Sequence, residues 1–319
     1  MTWNIGSDSM FPGSENDRSA QFARVLRALD PDVVCLQEAW RGHERAASLF
    51  DSILPLAEGR AWQHHGILDN AILSRQPLTR VATGKFEARQ RRLRGHAMAL
   101  SGEGTASPLY LVCAHFESLD GVEHREKQAN MIVSQLARDQ PRGLPPFRTP
   151  VVVLGDFNAV AGHSSRFLAN LREGRVAGRR SNLDIGLDWD GSDFRDALPL
   201  HNGRGKEFWT WRDDTSGFEP AALDRILYSG SVARLEKAFV LDTTAMSEEE
   251  LSAAGLERDD VLLDAARGVH DHLPVVADFL TGAAALSASA RGALIFANGF
   301  ESGAPCIRWS HWERAGCEY

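Results

Sequence analysis

The stretch Val151-Val152-Val153-Leu154-Gly155-Asp156-Phe157-Asn158 decides the fold. Four apolar residues in a row are typical of a strand that is buried on both faces. The glycine and the polar residues after it mark the carboxyl end of that strand. Functional sites in layered α/β folds assemble at this end of the strands. Asp156 and Asn158 are therefore the first candidate site residues.

Two other apolar runs end in the same way. Residues 33–36 are continuously apolar and are followed by the pair Gln37-Glu38. Residues 109–114 are nearly as apolar and are followed by His115. Because the carboxyl ends of neighbouring strands meet along one edge, we expect these polar side chains to lie close together.

Two later strands carry their polar residues at the start instead. Asp224 lies near the start of 223–228, and Asp271-His272 precedes the apolar run 273–279. If all these groups meet, the later strands run opposite to the earlier ones, and Asn4, at the end of a first strand, joins the same edge. The pattern predicts a four-layered α/β sandwich, with two mixed sheets packed face to face and flanked by helices.

Three segments have the apolar spacing of helices. The first ends before Asp30-Pro31, and the second covers residues 122–138. The third begins with a capping box from Ser247 to Glu250 and stops at Gly255. Helices at these places would cover the outer faces of the predicted sheets.

The end of the chain differs from the rest. Residues 282–292 are mostly small and are interpreted as a linker, and the remainder is too short for a core of its own. We therefore predict a catalytic domain over 1–282 and a linker with a short carboxyl-terminal segment over 283–319. Residues 1–6 resemble the end of a strand, consistent with a chain that starts upstream.

The composition is that of a globular protein with a formal net charge of −8. Proteins that bind nucleic acid through a broad positive field are usually basic, but a divalent cation can bring positive charge to a phosphate-bearing substrate. No apolar stretch approaches the ~18 residues of a membrane span. Cys35 and Cys113 are predicted to be core thiols, whereas Cys306 and Cys317 are candidates for a disulfide.

The carboxylates at the strand ends suit a hard cation. Mg²⁺ prefers oxygen ligands, which Glu38, Asp156 and Asp271 can offer. Any one of them alone would be interpreted as a surface or capping group. Together they indicate a metal site, because clustered carboxylates repel one another and need a cation or a proton.

Two histidines and two amides complete the candidate site. His272 could act on a water, with Asp224 as the carboxylate that fixes its tautomer. His115 could donate to a phosphate oxygen and stabilise developing charge. Asn4 and Asn158 are neutral and could orient a phosphate or a water.

Six motifs resemble, in order, those of the endonuclease/exonuclease/phosphatase superfamily of metal-dependent phosphoesterases, over roughly residues 1–280. They are Thr2-Trp3-Asn4-Ile5, Leu36-Gln37-Glu38, Ala114-His115-Phe116-Glu117-Ser118, Gly155-Asp156-Phe157-Asn158, Leu223-Asp224-Arg225-Ile226 and Asp271-His272. Each motif falls at the expected end of a predicted strand.

The resemblance implies hydrolysis of phosphate esters by in-line attack of water, with Mg²⁺ or Mn²⁺ as cofactor. It implies that Glu38 is the principal metal ligand, supported by Asn4 and Asp271. It also implies that Asp156 and Asn158 position and activate the attacking water.

Further roles follow from the same resemblance. The pair formed by His272 and Asp224 resembles the dyad beside the scissile phosphate, and His115 resembles the second histidine that faces it. Asn70 resembles a polar strand residue that approaches the substrate. His270 departs from the family pattern, which commonly has serine there, and we expect it to affect orientation only.

The resemblance leaves the choice of substrate open. Segments 115–118, 193–197 and 208–211 resemble the tyrosyl-DNA phosphodiesterase branch and uncharacterised bacterial members, which favours DNA over a phospholipid (sphingomyelinase-like) or a sugar phosphate. Trp209 and Trp211 could stack on a base or sugar, or could pack in the core or at its rim.

Three interpretations remain open beside these. The basic run 85–94 could contact a phosphate backbone or form a solvated strand edge. The segment 295–303 resembles a short terminal motif of exported bacterial proteins and, with the two terminal cysteines, favours a secreted or periplasmic location. A catalytically silent binding module is the alternative from another class, although all the motif residues are retained. Oligomeric state is not addressed by any motif.

Overall fold

The structure is a computed structural model that describes residues 1–81, 96–102, 108–118, 121–160, 165–176 and 186–281. The basic run 85–94 and the carboxyl-terminal segment with Cys306 and Cys317 lie outside these ranges, so their interpretations stay predictions, as does the domain boundary. Among the helices described, none has the length and apolar character needed to cross a membrane.

The first sheet has seven strands, and their directions are mixed. Strand β1 (Thr2–Asn4) is parallel to β2 (Val33–Gln37) and antiparallel to β15 (Val275–Thr281), so the late strand runs opposite to the early ones as predicted. The order across this sheet is β10 (Leu200–His201), β13 (Ala233–Val240), β15 (Val275–Thr281), β1 (Thr2–Asn4), β2 (Val33–Gln37), β4 (Asn70–Ser74) and β3 (Gln63–Ile67).

The second sheet has six strands and is also mixed. Strands β7 (Leu109–His115) and β8 (Val151–Asp156) are parallel, whereas β12 (Asp224–Tyr228) is antiparallel to β8. The order is β5 (Leu78–Arg80), β6 (His96–Ser101), β7 (Leu109–His115), β8 (Val151–Asp156), β12 (Asp224–Tyr228) and β9 (Arg195–Asp196). A separate antiparallel pair is formed by β11 (Trp211–Arg212) and β14 (Asp271–His272).

Five α-helices lie in the described ranges, and three of them were predicted. They are α1 (Ser19–Leu29), α2 (His43–Ile53), α3 (Val122–Asp139), α4 (Ser165–Glu173) and α5 (Glu248–Ala254). The capping box between Ser247 and Glu250 is present, and Gly255 ends α5 in the left-handed conformation. The sequence analysis did not identify α2 or α4.

Strand β7 shows how the layers share the core. Leu109, Leu111 and Cys113 join the cluster that fills the space between the sheets. The alternate residues join a second cluster with the apolar faces of α3 and α4, because successive side chains of a strand point to opposite faces. On the other side, Phe22 of α1 stacks on Trp3 of β1. The predicted four-layered α/β sandwich is confirmed.

Gly155 explains the spacing of the motif in β8. Its φ is +142°, and a Cβ built there would lie 1.9 Å from the carbonyl oxygen of Ala114 in β7. Only glycine permits this close approach of the two strands. The approach brings the residues after Ala114 and Gly155, which are His115 and Asp156, side by side at the strand ends.

The prediction that Cys35 and Cys113 are core thiols was wrong. Both are buried, but they form a disulfide that joins β2 of the first sheet to β7 of the second, with their Cα atoms 5.5 Å apart. Each cysteine lies in an apolar strand as expected. Their pairing depends on which faces of two separate sheets oppose each other, and a reading of each strand alone does not contain that information.

Candidate active site

The candidate site lies at the rim where the carboxyl ends of β1, β2, β7 and β8 meet the amino ends of β12 and β14. It draws on both large sheets, so its geometry depends on how the sheets are held together. The first sheet and its loops supply Asn4, Glu38 and Asp69, the second supplies His115, Asp156 and Asp224, and the short strand β14 supplies Asp271 and His272.

The carboxylate of Asp156 lies at the centre of this group. Its Oδ2 accepts from the amide nitrogens of Asn4 at 3.1 Å and Asn158 at 3.3 Å. The Nε2 atoms of His115 and His272 lie 3.5 Å and 3.6 Å from the same oxygen. Four nitrogen atoms therefore converge on one anionic oxygen. Such an arrangement can hold the charged oxygens of a phosphate group as well as a carboxylate.

His272 is held from both ends. Its Nδ1 lies 2.8 Å from Oδ2 of Asp224, and the indole nitrogen of Trp3 donates to its backbone oxygen at 3.0 Å. The hydroxyl of Thr210 donates to the same oxygen of Asp224 at 2.6 Å. This network fixes the imidazole so that Nε2 points at Asp156.

The charges around His272 are mostly negative. Burial by itself would lower the pKa of His272, but the carboxylates of Asp224, Asp156 and Asp271 outweigh it and raise that pKa well above 6.5. Burial also raises the pKa of Asp271, and Glu38 adds to that effect. The site thus carries more carboxylates than its own imidazole can neutralise, which is the condition that a divalent cation relieves.

The pKa of Asp156 shifts the other way. Burial would raise it, but the imidazoles of His272 and His115, the backbone N–H of Asn158 and the amide of Asn4 together lower it. Asp156 is therefore ionised at neutral pH and can accept a proton.

A second histidine–carboxylate pair, which the sequence analysis missed, faces the first. Nδ1 of His115 lies 2.6 Å from Oδ2 of Asp69, and both side chains are buried. Asp69 belongs to the loop before β4, whereas His115 ends β7 of the other sheet. Each of the two site histidines thus has its own carboxylate on Nδ1 and directs Nε2 toward Asp156.

Glu38 is the more accessible carboxylate of the rim. Its Oε2 accepts from the backbone N–H of Ser7 at 2.8 Å and from the Ser7 hydroxyl at 3.1 Å. Asn4 donates to Oε1 at 3.2 Å. The oxygen of Asn4 accepts from the N–H of Gly6, so its NH₂ group faces the carboxylates. A ligand role for Asn4 stays a prediction, and in the structure this side chain aligns Glu38 with Asp156.

Two groups of residues can be compared as hosts for a divalent ion. The ligand atoms of Asp156, Asp224 and His272 lie within 4.8 Å of one another. However, Asp224 and His272 already bond to each other, and a cation between them would break that dyad. Glu38 and Asp271 offer oxygen ligands at the edge of the site without this cost, which fits the preference of Mg²⁺.

The backbone has a positive φ at three of these positions. The φ angles of Glu38, Asn158 and Asp271 are +62°, +47° and +54°. Non-glycine residues adopt this region rarely, and Asn and Asp do so more readily than most. Gly6 also has a positive φ, and a Cβ there would lie 3.0 Å from Oδ2 of Asp271. The chain is therefore bent at the points that aim these carboxylates.

The segment 209–211 serves several parts of the site. Trp209 is buried and packs edge-on against His201 and His270, and the indole nitrogen of Trp211 donates to Asp271 at 3.1 Å. Thr210, between them, was also missed by the sequence analysis and supports Asp224. Substrate contact by the two tryptophans stays a prediction.

Asn70 and His270 are the remaining predicted residues, and both are buried. Asn70 begins β4 and is buried, with its Oδ1 3.9 Å from the sulfur of Cys113. His270 is buried, with its Nε2 3.5 Å from the hydroxyl of Thr244. The two residues that were not predicted are Asp69 and Thr210. The sequence offers only their neighbours as signals, since Asp69 directly precedes Asn70 and Thr210 lies between the two candidate tryptophans.

The sequence model of the Endonuclease/Exonuclease/phosphatase family matches residues 1–247, and the chain belongs to this family. No curated protein matches the chain significantly. A truncated TDP2 from Caenorhabditis elegans is 17% identical with a TM-score of 0.54, covering 87% of this chain and 96% of that one.

Two bacterial structures are similar to a comparable degree. The 3′ phosphatase NExo from Neisseria, bound to a product DNA hairpin, is 20% identical with a TM-score of 0.53, covering 87% of this chain and 97% of that one. An endonuclease/exonuclease/phosphatase from Bacteroides vulgatus is 14% identical with a TM-score of 0.53, covering 88% and 97%. At these identities the likeness is one of fold. Membership of the family defines the chain as a metal-dependent hydrolase of phosphate esters.

Proposed function

We propose that the chain is a Mg²⁺- or Mn²⁺-dependent phosphodiesterase that hydrolyses DNA by in-line attack of water on phosphorus. The convergence of His115, His272, Asn4 and Asn158 on one oxygen of Asp156 carries the hydrolytic part of this proposal. It combines a proton acceptor with donors for phosphate oxygens in a single buried group. The choice of DNA is supported by the similarity in fold to NExo, which is bound to a product DNA hairpin, and by the segments that resemble the tyrosyl-DNA phosphodiesterase branch.

Asp156 is the proton acceptor in this reaction. Its lowered pKa keeps the carboxylate ionised, and Asn158 fixes its orientation by a backbone N–H bond of 2.8 Å to Oδ1. As the oxygen of water forms its bond to phosphorus, its proton passes to this carboxylate. The bond from phosphorus to the leaving oxygen breaks on the opposite side, and the leaving oxygen takes up a proton from solvent.

The two histidines bind the phosphate oxygens. The carboxylates around His272 outweigh the effect of its burial and raise its pKa, which favours the protonated imidazole that donates from Nε2 to a phosphate oxygen. His115 is oriented by Asp69 so that its Nε2 faces the position of the phosphate oxygens. Glu38 and Asp271 would hold a divalent cation, and its positive charge would neutralise the charge on the phosphate oxygens.

A substrate panel tests this proposal. Plasmid DNA, a 5′-tyrosyl oligonucleotide, sphingomyelin vesicles and bis-p-nitrophenyl phosphate are each incubated with Mg²⁺, with Mn²⁺ and with EDTA. We expect metal-dependent cleavage of the small diester and of at least one DNA substrate. Cleavage of the small diester and sphingomyelin, with DNA left intact, would overturn the choice of DNA.

A phospholipid is the second candidate substrate, and exposed apolar side chains favour it. Trp40, Leu68, Val160 and Phe218 are 52%, 58%, 38% and 65% exposed. The first three lie within two residues of Glu38, Asp69 and Asn158, so their Cα atoms are within about 8 Å of those of site residues. The ring of Phe218 is 6.4 Å from that of Trp211. Apolar groups around a polar site are typical of surfaces that bind ligands or membranes.

The location is proposed to be secreted or periplasmic. The disulfide between Cys35 and Cys113 supports this, since disulfides persist mainly in oxidising compartments. Mass spectrometry of the native protein under non-reducing conditions, with alkylation of free thiols, measures the redox state of all four cysteines. Four alkylated cysteines would contradict an oxidising location.

A further inference from the structure

The disulfide between Cys35 and Cys113 lies directly beneath the site. Cys35 is three residues before Glu38 in its strand, and Cys113 is two residues before His115. Both sulfurs are buried in the space between the sheets. The bridge is therefore the covalent connection between the strand that carries the metal-binding glutamate and the strand that carries a phosphate-binding histidine.

Two neighbours of site residues contact the sulfurs. The amide nitrogen of Gln37, the residue before Glu38, is 2.8 Å from Sγ of Cys35 and 3.6 Å from Sγ of Cys113. The same amide bonds to the hydroxyl of Thr2, two residues before Asn4. The bridge thus contacts the side chain of the residue that directly precedes Glu38.

The second neighbour in contact with the bridge is Asn70, which lies beside the carboxylate that holds His115. Oδ1 of Asn70 is 3.9 Å from Sγ of Cys113, and Asn70 directly follows Asp69. Asp69 in turn holds His115 of the opposite sheet at 2.6 Å. The disulfide and the Asp69–His115 pair therefore both connect the two sheets, and the residues that form them are close neighbours along the chain.

The position matters because the site is divided between the sheets. Asn4 of the first sheet bonds to Asp156 of the second at 3.1 Å, and Asp69 bonds to His115 across the same gap. Between the sheets lie mostly apolar side chains, which resist separation better than a small slide. Catalytic groups must be held within roughly 0.5 Å of their working geometry.

We infer that the Cys35–Cys113 disulfide is a positioning element of the active site, which holds Glu38 and the Asp69–His115 pair of opposite sheets in register. The inference rests on the proposed metal-dependent hydrolysis. Loss of the bridge should alter metal affinity and turnover in protein that is still folded. Its effect should exceed that of an equally destabilising change deeper in the core.

The experiment compares oxidised wild-type protein with two forms that lack the bridge. One is the double variant Cys35→Ala with Cys113→Ala, and the other is the unaltered chain prepared under reducing conditions as the dithiol. Leu111→Ala is the matched control, because Leu111 lies on the same strand and the same face, two residues farther from the rim. Circular dichroism and thermal melting establish folding for each form.

The readouts are Mg²⁺ affinity by calorimetry and the separate kcat and KM for bis-p-nitrophenyl phosphate, all well below every melting temperature. We expect both bridge-free forms to bind Mg²⁺ about 10-fold or more weakly, the range seen when groups behind a metal ligand are altered. We also expect lower kcat with little change in KM. Leu111→Ala should lower the melting temperature and keep the affinity of the wild type.

Unchanged affinity and kcat in the bridge-free forms, with only a lower melting temperature, would overturn the inference. Equal losses in Leu111→Ala would do the same. Failure of both bridge-free forms to fold would also overturn it, because the bridge would then be a requirement of the fold. If the oxidised wild type cleaves no diester at all, the proposed function fails, while the calorimetric comparison still decides the role of the bridge.

Discussion

Two buried histidine–aspartate pairs lie on either side of segment 209–211, and only one faces the site. In the first, Nδ1 of His272 is 2.8 Å from Asp224 and Nε2 points to Asp156. In the second, Nδ1 of His201 is 3.1 Å from Asp242, and Nε2 lies 2.7 Å from the carbonyl oxygen of Trp209. The two pairs therefore differ at Nε2 of the histidine. In His272 this nitrogen is directed into the site, and in His201 it bonds to the backbone.

The carboxylates of the two pairs also differ. Burial raises the pKa of Asp224, and nearby Asp156 adds to the increase despite the opposing effect of His272. Burial likewise acts to raise the pKa of Asp242, but hydrogen bonds from His201 and Thr244 and the charges of His201 and His270 lower it overall. Burial disfavours the ionised carboxylate of Asp224, whereas hydrogen bonds and nearby histidines stabilise the ionised carboxylate of Asp242.

The largest expected difference is in turnover. His272→Ala should lower kcat for bis-p-nitrophenyl phosphate about 10²- to 10⁴-fold, the contribution of a positioned acid or base, with Mg²⁺ affinity nearly unchanged. His201→Ala should keep kcat within about 3-fold, because both its nitrogens bond within the protein. Steady-state kinetics of the two variants, with folding checked by circular dichroism, measure this. Similar losses in both would remove the distinction.

Mg²⁺ binding should depend on the candidate site around the His272–Asp224 pair and not on the His201–Asp242 pair. Glu38→Gln should weaken Mg²⁺ binding about 10- to 100-fold, in line with the loss of a charged ligand or its support, and should reduce turnover in proportion at low metal concentration. Isothermal calorimetry with Mg²⁺ gives the affinity. Glu44→Gln, an exposed carboxylate at the start of α2, is the matched control. Wild-type affinity in Glu38→Gln would contradict the assignment of the ligand.

Loss of the Asp69–His115 pair, which connects the two sheets, should have a smaller effect on kcat. Asp69→Asn removes the charge that orients His115, and we expect kcat to fall about 10-fold while Mg²⁺ affinity is kept. Kinetics with the small diester and calorimetry on the same preparation separate the two quantities. Asp190→Asn, in an exposed turn, serves as the control. A variant with full kcat would limit His115 to a structural role.

For the free energy of unfolding, the His201–Asp242 pair should matter more than the His272–Asp224 pair. Asp242→Asn should lower the free energy of unfolding at pH 7 by about 1–3 kcal/mol, because it weakens a satisfied charged network. Asp224→Asn should change it by less than about 1 kcal/mol or increase it, since its ionised carboxylate is disfavoured by burial. Urea unfolding of both variants beside wild type gives these values. A larger loss in Asp224→Asn would contradict the comparison.

The effect of pH on Asp242 has a defined sign. The folded pKa of Asp242 is lowered, so its stabilisation is present above the unfolded value of about 3.9 and is lost as pH falls through the lower folded value. The stability difference between wild type and Asp242→Asn should be constant from about pH 5 to 7 and shrink below about pH 4. Urea titrations at each pH test this, and a difference that persists undiminished at pH 3 would refute it.

Much of the site could be predicted from the sequence because its residues sit beside strong strand signals. Asp156 and His115 follow apolar runs, and Asp224 lies next to one, so their place at one rim follows from strand direction. Asp69 follows no such run. Its role depends on a strand of the other sheet, 46 residues away, that ends beside it.

The sequence by itself determined the central strands, the capping box of α5 and the rim to which the polar residues belong. These follow from interactions within a few residues, such as the apolar run of β7 or the capping box at Ser247. The tertiary structure decided which buried groups meet across the gap between the sheets. Cys35 pairs with Cys113, and Asp69 holds His115 of the opposite sheet, because sheet packing chooses the partner of each side chain and local sequence does not encode that choice.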